Sequence, residues 1–453
     1  MKAKSTSKFE LDGIPPLKEA IPLGLQHLMA MVIGSCLPAI LIANVAGLDH
    51  KMSTLLIQAA LIFAGLSTLL QLYPIPLFKG FKLGGGIPVI MGATAMFIGA
   101  GVSVAGKYGL PVLFGSQIIA GIVIIIISFG LKKIRFIFTP VVSGTIVACM
   151  GLGLFPIAIK NLAGGMGNET FGQPINFIVG IAVSLMILGL NKYGKGLFKD
   201  ASILVSIIFG YILSLMLGIV NFSSIQEFTL IALPKPLAFG LDIKIEVVVM
   251  FSIIYLVEIA DIMGACTLSA VGGLNRQVTD EELSSAVLGN GVLSTIGALF
   301  SATPMGMFGQ NSAIVSNTKI ISKFVLAIGG IGLFLAGVSP LLANLIRTIP
   351  PCVVGGATLV IFSTLTTSGL RLVSMDGFNQ ENSMILGLSM AAGIGFMVVP
   401  QVLEKSPKFI ETLLADSSVV SGAMVAIIVQ GLYMIKFSKG KDNKNKKDKK
   451  ENI

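Results

Sequence analysis

The chain has 453 residues, of which 54% are hydrophobic and 12% charged, with a mean hydropathy of +0.90 and a formal net charge of +10. A soluble domain carries about 25% charged residues, so the composition excludes a soluble enzyme, a disordered chain and a nucleic-acid binder despite the basic balance. It describes an all-α polytopic membrane protein, in which 53 glycines let helices approach closely.

A spanning helix needs about 20 mostly apolar residues. Such runs fall at 18–42, 53–73, 86–105, 109–130, 138–159, 176–194, 201–220, 246–273, 282–302, 308–321, 323–345, 351–373, 382–400 and 417–437, fourteen in all. The polar first dozen residues, followed by an apolar run too long for an h-region, read as no cleavable signal peptide. With both termini cytoplasmic, 24 Lys and Arg lie inside and 8 outside, which is the positive-inside pattern. The last residues, KGKDNKNKKDKKENI, read as a disordered basic tail. Cys36, Cys149, Cys266 and Cys352 all sit in apolar runs without a CxxC pair, as small core residues.

An internal repeat is visible. Ile134-Arg135-x-Ile137-x-x-x-Val141-Val142-x-Gly144 recurs as Ile346-Arg347-x-Ile349-x-x-x-Val353-Val354-x-Gly356, six identities at an offset of 212. The copies lead into spans 5 and 12 and so enter from opposite sides, the inverted plan of many secondary transporters. Spans 3 and 10 are broken at corresponding places, by Gly84-Gly85-Gly86-Ile87-Pro88 and by Thr303-Pro304-Met305-Gly306. Extended backbone followed by a half-helix is expected at both, with two helix N-termini aimed at one midplane site; a pair of kinked helices is the alternative.

Few ionisable residues lie deep in a span. Glu258 and Asp261 in span 8 share a helix face through their i,i+3 spacing. An intramembrane carboxylate costs several kcal/mol to insert and marks substrate or proton work. His27 in span 1 reads first as an interhelical hydrogen bonder. Span 9 carries Asn290, and span 10 carries Gln310-Asn311 just after its break. A carboxamide offers both donor and acceptor and matches the amide edge of a pyrimidinedione or an oxidised purine. Phe308 is a stacking surface for a flat ring or ordinary packing.

These residues resemble the nucleobase–ascorbate transporters, the xanthine/uracil permeases. The run Gln310-Asn311-Ser312-Ala313-Ile314-Val315-Ser316-Asn317-Thr318-Lys319 is similar to the family signature, Gln26-His27 to its span-1 pair, Ile87-Pro88-x-x-x-Gly92 to its span-3 segment, and Glu258 to its span-8 glutamate. The resemblance implies fourteen spans in two inverted halves, with short strands in spans 3 and 10. A cytoplasmic tail (1–17) would precede a core domain of 18–137 and 246–350 and a gate domain of 138–220 and 351–437, with the basic tail at 438–453. Substrate would be held by Glu258, Gln310, Phe308, Ala95 and Asn311. Glu258, His27, Asp261 and Asn290 would form the proton network. A plasma-membrane homodimer joined through its gate domains would take up a nucleobase with H⁺, or Na⁺ as the alternative, and without a cofactor or metal.

The same resemblance implies that Gln310, at the first position of the signature, favours an oxidised purine, xanthine or uric acid, over uracil. The chain departs from the family at Ala313 for Gly, Asn290 for a carboxylate, Asp261 one place early, and Ala93-Thr94-Ala95 for Ser-Ser-Phe. An inorganic-anion carrier of the sulfate type shares the seven-plus-seven plan, but should lack a carboxylate facing the site. No metal cluster, nucleophile–base pair or phosphate loop points to an enzyme.

Overall fold

The computed structural model describes residues 9–78, 80–134, 137–220 and 231–448, with backbone alone at 134 and 435–448. The first part of the chain forms α1 (Leu17–Val45), α2 (His50–Leu72), strands β1 (Ile75–Phe78), β2 (Phe81–Leu83) and β3 (Met91–Ala93), then α3 (Ile98–Tyr108), α4 (Leu110–Ser128) and α5 (Leu131–Ile134). Next come α6 (Pro140–Leu162), α7 (Pro174–Tyr193), α8 (Leu197–Asp200), α9 (Ser202–Met216), α10 (Ile245–Gly272) and α11 (Asp280–Leu299). Strand β4 (Met305–Met307) leads into α12 (Gly309–Thr318), α13 (Lys323–Val338) and α14 (Pro340–Arg347), and the chain ends with α15 (Pro351–Met375), α16 (Gln380–Val398), α17 (Lys408–Ala415) and α18 (Ser418–Asp448). Among the described residues, eight helices are long and apolar enough to cross a membrane, or ten if the bent pairs α13–α14 and α17–α18 each count as one span. The protein is a mostly helical, multi-pass membrane protein.

The chain divides into two compact units. One is the chain up to Lys133 with Leu154–Ile361; the other is Ile134–Gly153 with the chain from Phe362 on. In the first, α2 packs on α13 at backbone distance. A Cβ on Gly337 would lie 2.7 Å from the Ile62 nitrogen, and one on Gly65 would lie 2.6 Å from the Gly330 oxygen, so only glycine permits the approach. Helix α7 is apolar all round. Val179, Val183 and Ile187 are buried with Ile207 and Val353, while Ile178, Ile181, Leu185 and Leu188 are exposed, as expected of a helix with protein on one side and lipid on the other. In the second unit α16 packs on α18, and the Thr139 hydroxyl donates to Gln430 Oε1 at 2.9 Å. All four cysteines are free and buried.

The helix ends follow local chemistry. Asp49 accepts the Met52 N–H at 2.8 Å to start α2. Thr279 and Glu282 form a reciprocal capping box on α11, and Arg276 grips the same Glu282 with both guanidinium nitrogens, at 2.9 and 2.5 Å.

The residues before α1 are held in place, and the end of the chain differs from the disordered tail expected there. Backbone at Phe9 and Leu11 is docked, with Ile321 N–H donating to Phe9 O at 3.1 Å and Lys323 N–H to Leu11 O at 2.9 Å. These bonds satisfy donors in the α12–α13 connection that neither helix can serve. At the other end, α18 runs on to Asp448 through most of the tail expected to be disordered. Lysine is a good helix former, and extending a formed helix is cheap compared with nucleating one. Lys2, Lys4, Lys8, Lys79, Arg135 and residues 449–453 lie outside the described residues.

Candidate functional site

The site is built where the two broken apolar runs meet. Strands β3 and β4 pair antiparallel, Met91 with Met307, Gly92 with Gly306 and Ala93 with Met305. The bond from Thr94 N–H to Pro304 O (2.9 Å) extends the pairing at one end, and that from Phe308 N–H to Ile90 O (3.0 Å) extends it at the other. Helix α12 therefore leaves from one end of this ribbon and α3 from the other, the latter after a 3₁₀ turn at Ala95–Phe97 capped by Thr94.

Strands this short cannot satisfy their own outer edges, and helix side chains do it for them. The Thr68 hydroxyl of α2 accepts from Met91 N–H at 2.9 Å. The Ser294 hydroxyl of α11 accepts from Met305 N–H at 3.0 Å, and Asn290 Oδ1 lies 3.5 Å behind that hydroxyl. Gln117 of α4 donates to Ser294 O at 3.1 Å and Ala302 O at 3.0 Å, tying α4 to the approach to β4. Asn290 is thus buried as a support of β4.

Glu258 projects from α10 into this frame and is 1% exposed. Its Oε2 accepts the Thr94 hydroxyl at 2.8 Å, while its Oε1 is buried without a hydrogen-bond partner. That free oxygen lies directly against Gly306, where a Cβ would collide with it. Gln310 opens α12 four residues further on and is exposed. Glu258 of the eighth apolar run and Gln310 of the tenth are therefore carried by neighbouring elements. Asp261, one turn on from Glu258, is half-buried.

The amide next to Gln310 faces another way. Asn311 Nδ2 lies 3.1 Å from His27 Nδ1 and donates to His27 O at 3.1 Å. This commits the Asn311 amide nitrogen to α1, while its buried Oδ1 has no partner. The Phe308 ring packs against α1 and β3, where a Cβ on Gly34 or Gly92 would come within 2.8 or 2.6 Å of it. Ala95 stands half-buried in the 3₁₀ turn. Gln26, beside His27, donates to Asp200 Oδ2 of α8 at 2.5 Å.

Sequence reasoning missed Thr68, Ser294 and Gln117, and passed over Thr94 as a departure from a motif. The first three are polar residues in apolar helices, a signal shared with many satisfied core residues. Their common purpose becomes visible only when the strands they hold are in place.

A multi-pass helical frame, two interrupted segments meeting as short strands, and one buried acid with a free oxygen beside them define a membrane carrier. The comparisons place it further. A family model for xanthine/uracil permeases, described as the Permease family, matches residues 18–402, and the chain belongs to that family. Similar proteins include the xanthine permease of Bacillus subtilis, 31% identical over 93% of this chain and 95% of that protein. The uric acid permease PucK of the same organism is 33% identical over 91% and 95%. The xanthine permease XanP of Escherichia coli is 30% identical over 94% of each. Among solved structures, the transmembrane domain of the cyanobacterial bicarbonate transporter BicA matches with a TM-score of 0.56 at 15% identity, covering 92% of this chain and 98% of that one. SLC26A9 matches at 0.61 and 12%, covering 92% and 66%. These last two share the fold.

Proposed function

We propose that the chain takes up an oxidised purine, xanthine or uric acid, by proton symport across the plasma membrane. The observation that carries this reading is the free Glu258 Oε1, buried beside the ribbon that launches α12. A buried acceptor without a donor costs about 1–3 kcal/mol, which a ring N–H would recover on binding. Gln310 would supply the complementary carboxamide, and Ala95 with Phe308 the walls. His27 and Asn311 would brace α12 on α1, and Asp261 and Asn290 would complete the polar network. The names of the similar permeases support an oxidised purine over uracil.

Fourteen spans fit the contacts between loops. Loops assigned to one side touch only their own side in the following cases. Lys82 N–H donates to Ser285 Oγ at 3.1 Å, Lys132 approaches Asp280 at 3.7 Å, and Ile321 N–H reaches Phe9. On the other side Lys244 lies over the Tyr108 ring at 4.5 Å, Arg347 reaches Leu48 O at 3.3 Å, and Asp242 N–H reaches Pro111 O at 2.9 Å. Segments 84–108 and 300–319 then each run from one side to the other, as broken spans. Helices α9 and α11 complete the count begun by the ten apolar spans. In this reading both termini are cytoplasmic and the halves are inverted repeats. The core domain (18–137 and 246–350) moves against the gate domain (138–220 and 351–437), through which two copies pair.

The test is uptake of labelled xanthine and uric acid in cells lacking their own carriers, with and without a protonophore. Native uptake should collapse with the proton gradient. Glu258→Gln should abolish accumulation while the protein still reaches the membrane. Native-like accumulation by that variant would remove Glu258 from the mechanism.

A further inference from the structure

A cavity of about 840 Å³ lies apart from the Glu258 frame, along the last turns of α1. Its apolar lining includes Ile40 and Leu41 of α1 and Val102 of α3. Ile40 is five residues beyond Ser35, whose buried hydroxyl sits against Gly92 of β3, so the cavity begins about 8 Å along the helix from the ribbon. The α6–α7 connection, the start of α2 and the α14–α15 junction also line it. In the proposed topology this is the outer side.

The polar lining is unlike the apolar interior. Lys160 and Arg347 bring two cations to the lining, against one lining acid, Glu169, while Asp49 acts on Arg347 from just outside the lining; His50, Asn44 and Asn161 are among the hydrogen-bonding groups there. Arg347 is anchored through one nitrogen on Leu48 O at 3.3 Å, while its Nε is buried without a partner. A concave, partly walled space with an excess of one charge focuses the field and raises the local concentration of the opposite ion. The asparagines offer donors and acceptors to a heterocycle edge.

We infer that this cavity is an outer recruiting site for the monoanion of an oxidised purine, in which Lys160 and Arg347 gather the anion before it passes along α1 to Glu258. The inference rests on the proposed transport and names the ionic form that is collected. Uric acid is a monoanion at neutral pH and keeps ring N–H donors, so it fits both the cationic cavity and the free carboxyl oxygen inside. A base arriving as an anion reaches a buried carboxyl group without charge repulsion only when that group carries a proton; with the proton on Oε2, donated to the Thr94 oxygen 2.8 Å away, Oε1 stays free to accept a ring N–H. One proton entering on Glu258 with one purine anion leaves the pair electrically neutral, so anion recruitment and proton symport are compatible.

The experiment measures KM and Vmax for labelled urate at neutral pH in Lys160→Gln, Arg347→Gln and Arg347→Lys. Inhibition of that uptake by unlabelled urate and by uncharged hypoxanthine is measured in the same cells. Removal of either charge should raise the urate KM about two- to fivefold, the scale of an exposed charge interaction, with Vmax and hypoxanthine inhibition unchanged. Arg347→Lys should restore the native KM. Added choline chloride should raise the urate KM of the native protein and leave that of a Lys160→Gln/Arg347→Gln variant less affected.

An unchanged urate KM in Lys160→Gln, whose side chain is exposed, overturns the proposal even if Arg347→Gln fails to reach the membrane. Equal shifts for urate and hypoxanthine overturn it as well, and identify the cations as holders of lipid headgroups or of the loops. Urate uptake without charge discrimination rejects the recruiting site alone. Absence of any purine uptake by the native chain rejects the transport reading with it.

Discussion

Gly306 has room for a hydrogen and nothing larger. A methyl there would strike Glu258 Oε1 and come within 2.8 Å of the Thr94 Cβ, on a strand held by only three residue pairs. Gly306→Ala should therefore part the ribbon or turn the carboxylate, and lower uptake by about 100-fold or more, since small misplacements at a reacting or binding centre are costly. Membrane abundance measured on the same cells separates this from loss of the protein. Thr94 has a gentler role, donating to Glu258 Oε2 at 2.8 Å. Thr94→Val keeps the shape and removes the donor, which should raise the KM for the transported base about tenfold, the equivalent of one hydrogen bond. The acid itself was legible from the sequence, because a carboxylate deep in an apolar run has few other reasons to exist. Its partner was not, because Thr94 is 164 residues away and threonine is common in membrane helices.

At the scale of elements, the strands depend on their helices. Ser294→Ala leaves the Met305 N–H without its acceptor, and Thr68→Val does the same to Met91 N–H. Each should cost about 1–3 kcal/mol, read as a lower midpoint of thermal unfolding in detergent, with Vmax falling more than KM rises. A second contact, from Gln26 on α1 to Asp200 on α8, joins one end of α1 to the chain beyond α7. If α1 moves with the core during transport, this bond must break in each cycle. Gln26→Ala should then shift the balance between outward-open and inward-open forms, measured as a change in thiol accessibility at both faces, while leaving the protein folded. The Gly/Pro interruptions before β3 and β4 announced themselves in the sequence, since such residues interrupt a helical pattern. Their pairing partners came only with the fold, because three-residue strands carry no readable period.

At the scale of the whole molecule, the proposed topology is open to a direct test with introduced thiols. The four native cysteines are buried, so introduced thiols can be read against a low background. Met166→Cys, in the exposed α6–α7 connection, should react with an impermeant maleimide in intact cells. Lys195→Cys, exposed before α8, should react only after permeabilisation, and the reverse pattern would invert the proposed topology. Composition and apolar run length settled that the chain lives in a membrane, because burial of about 20 apolar residues in lipid is a local property of the chain. Tertiary structure decided which oxygen of Glu258 is free, that Asn311 serves α1, and that Lys160 and Arg347 share a cavity. Those outcomes depend on which distant segments pack together, and hydrogen bonds between such segments leave no period or spacing in either one alone.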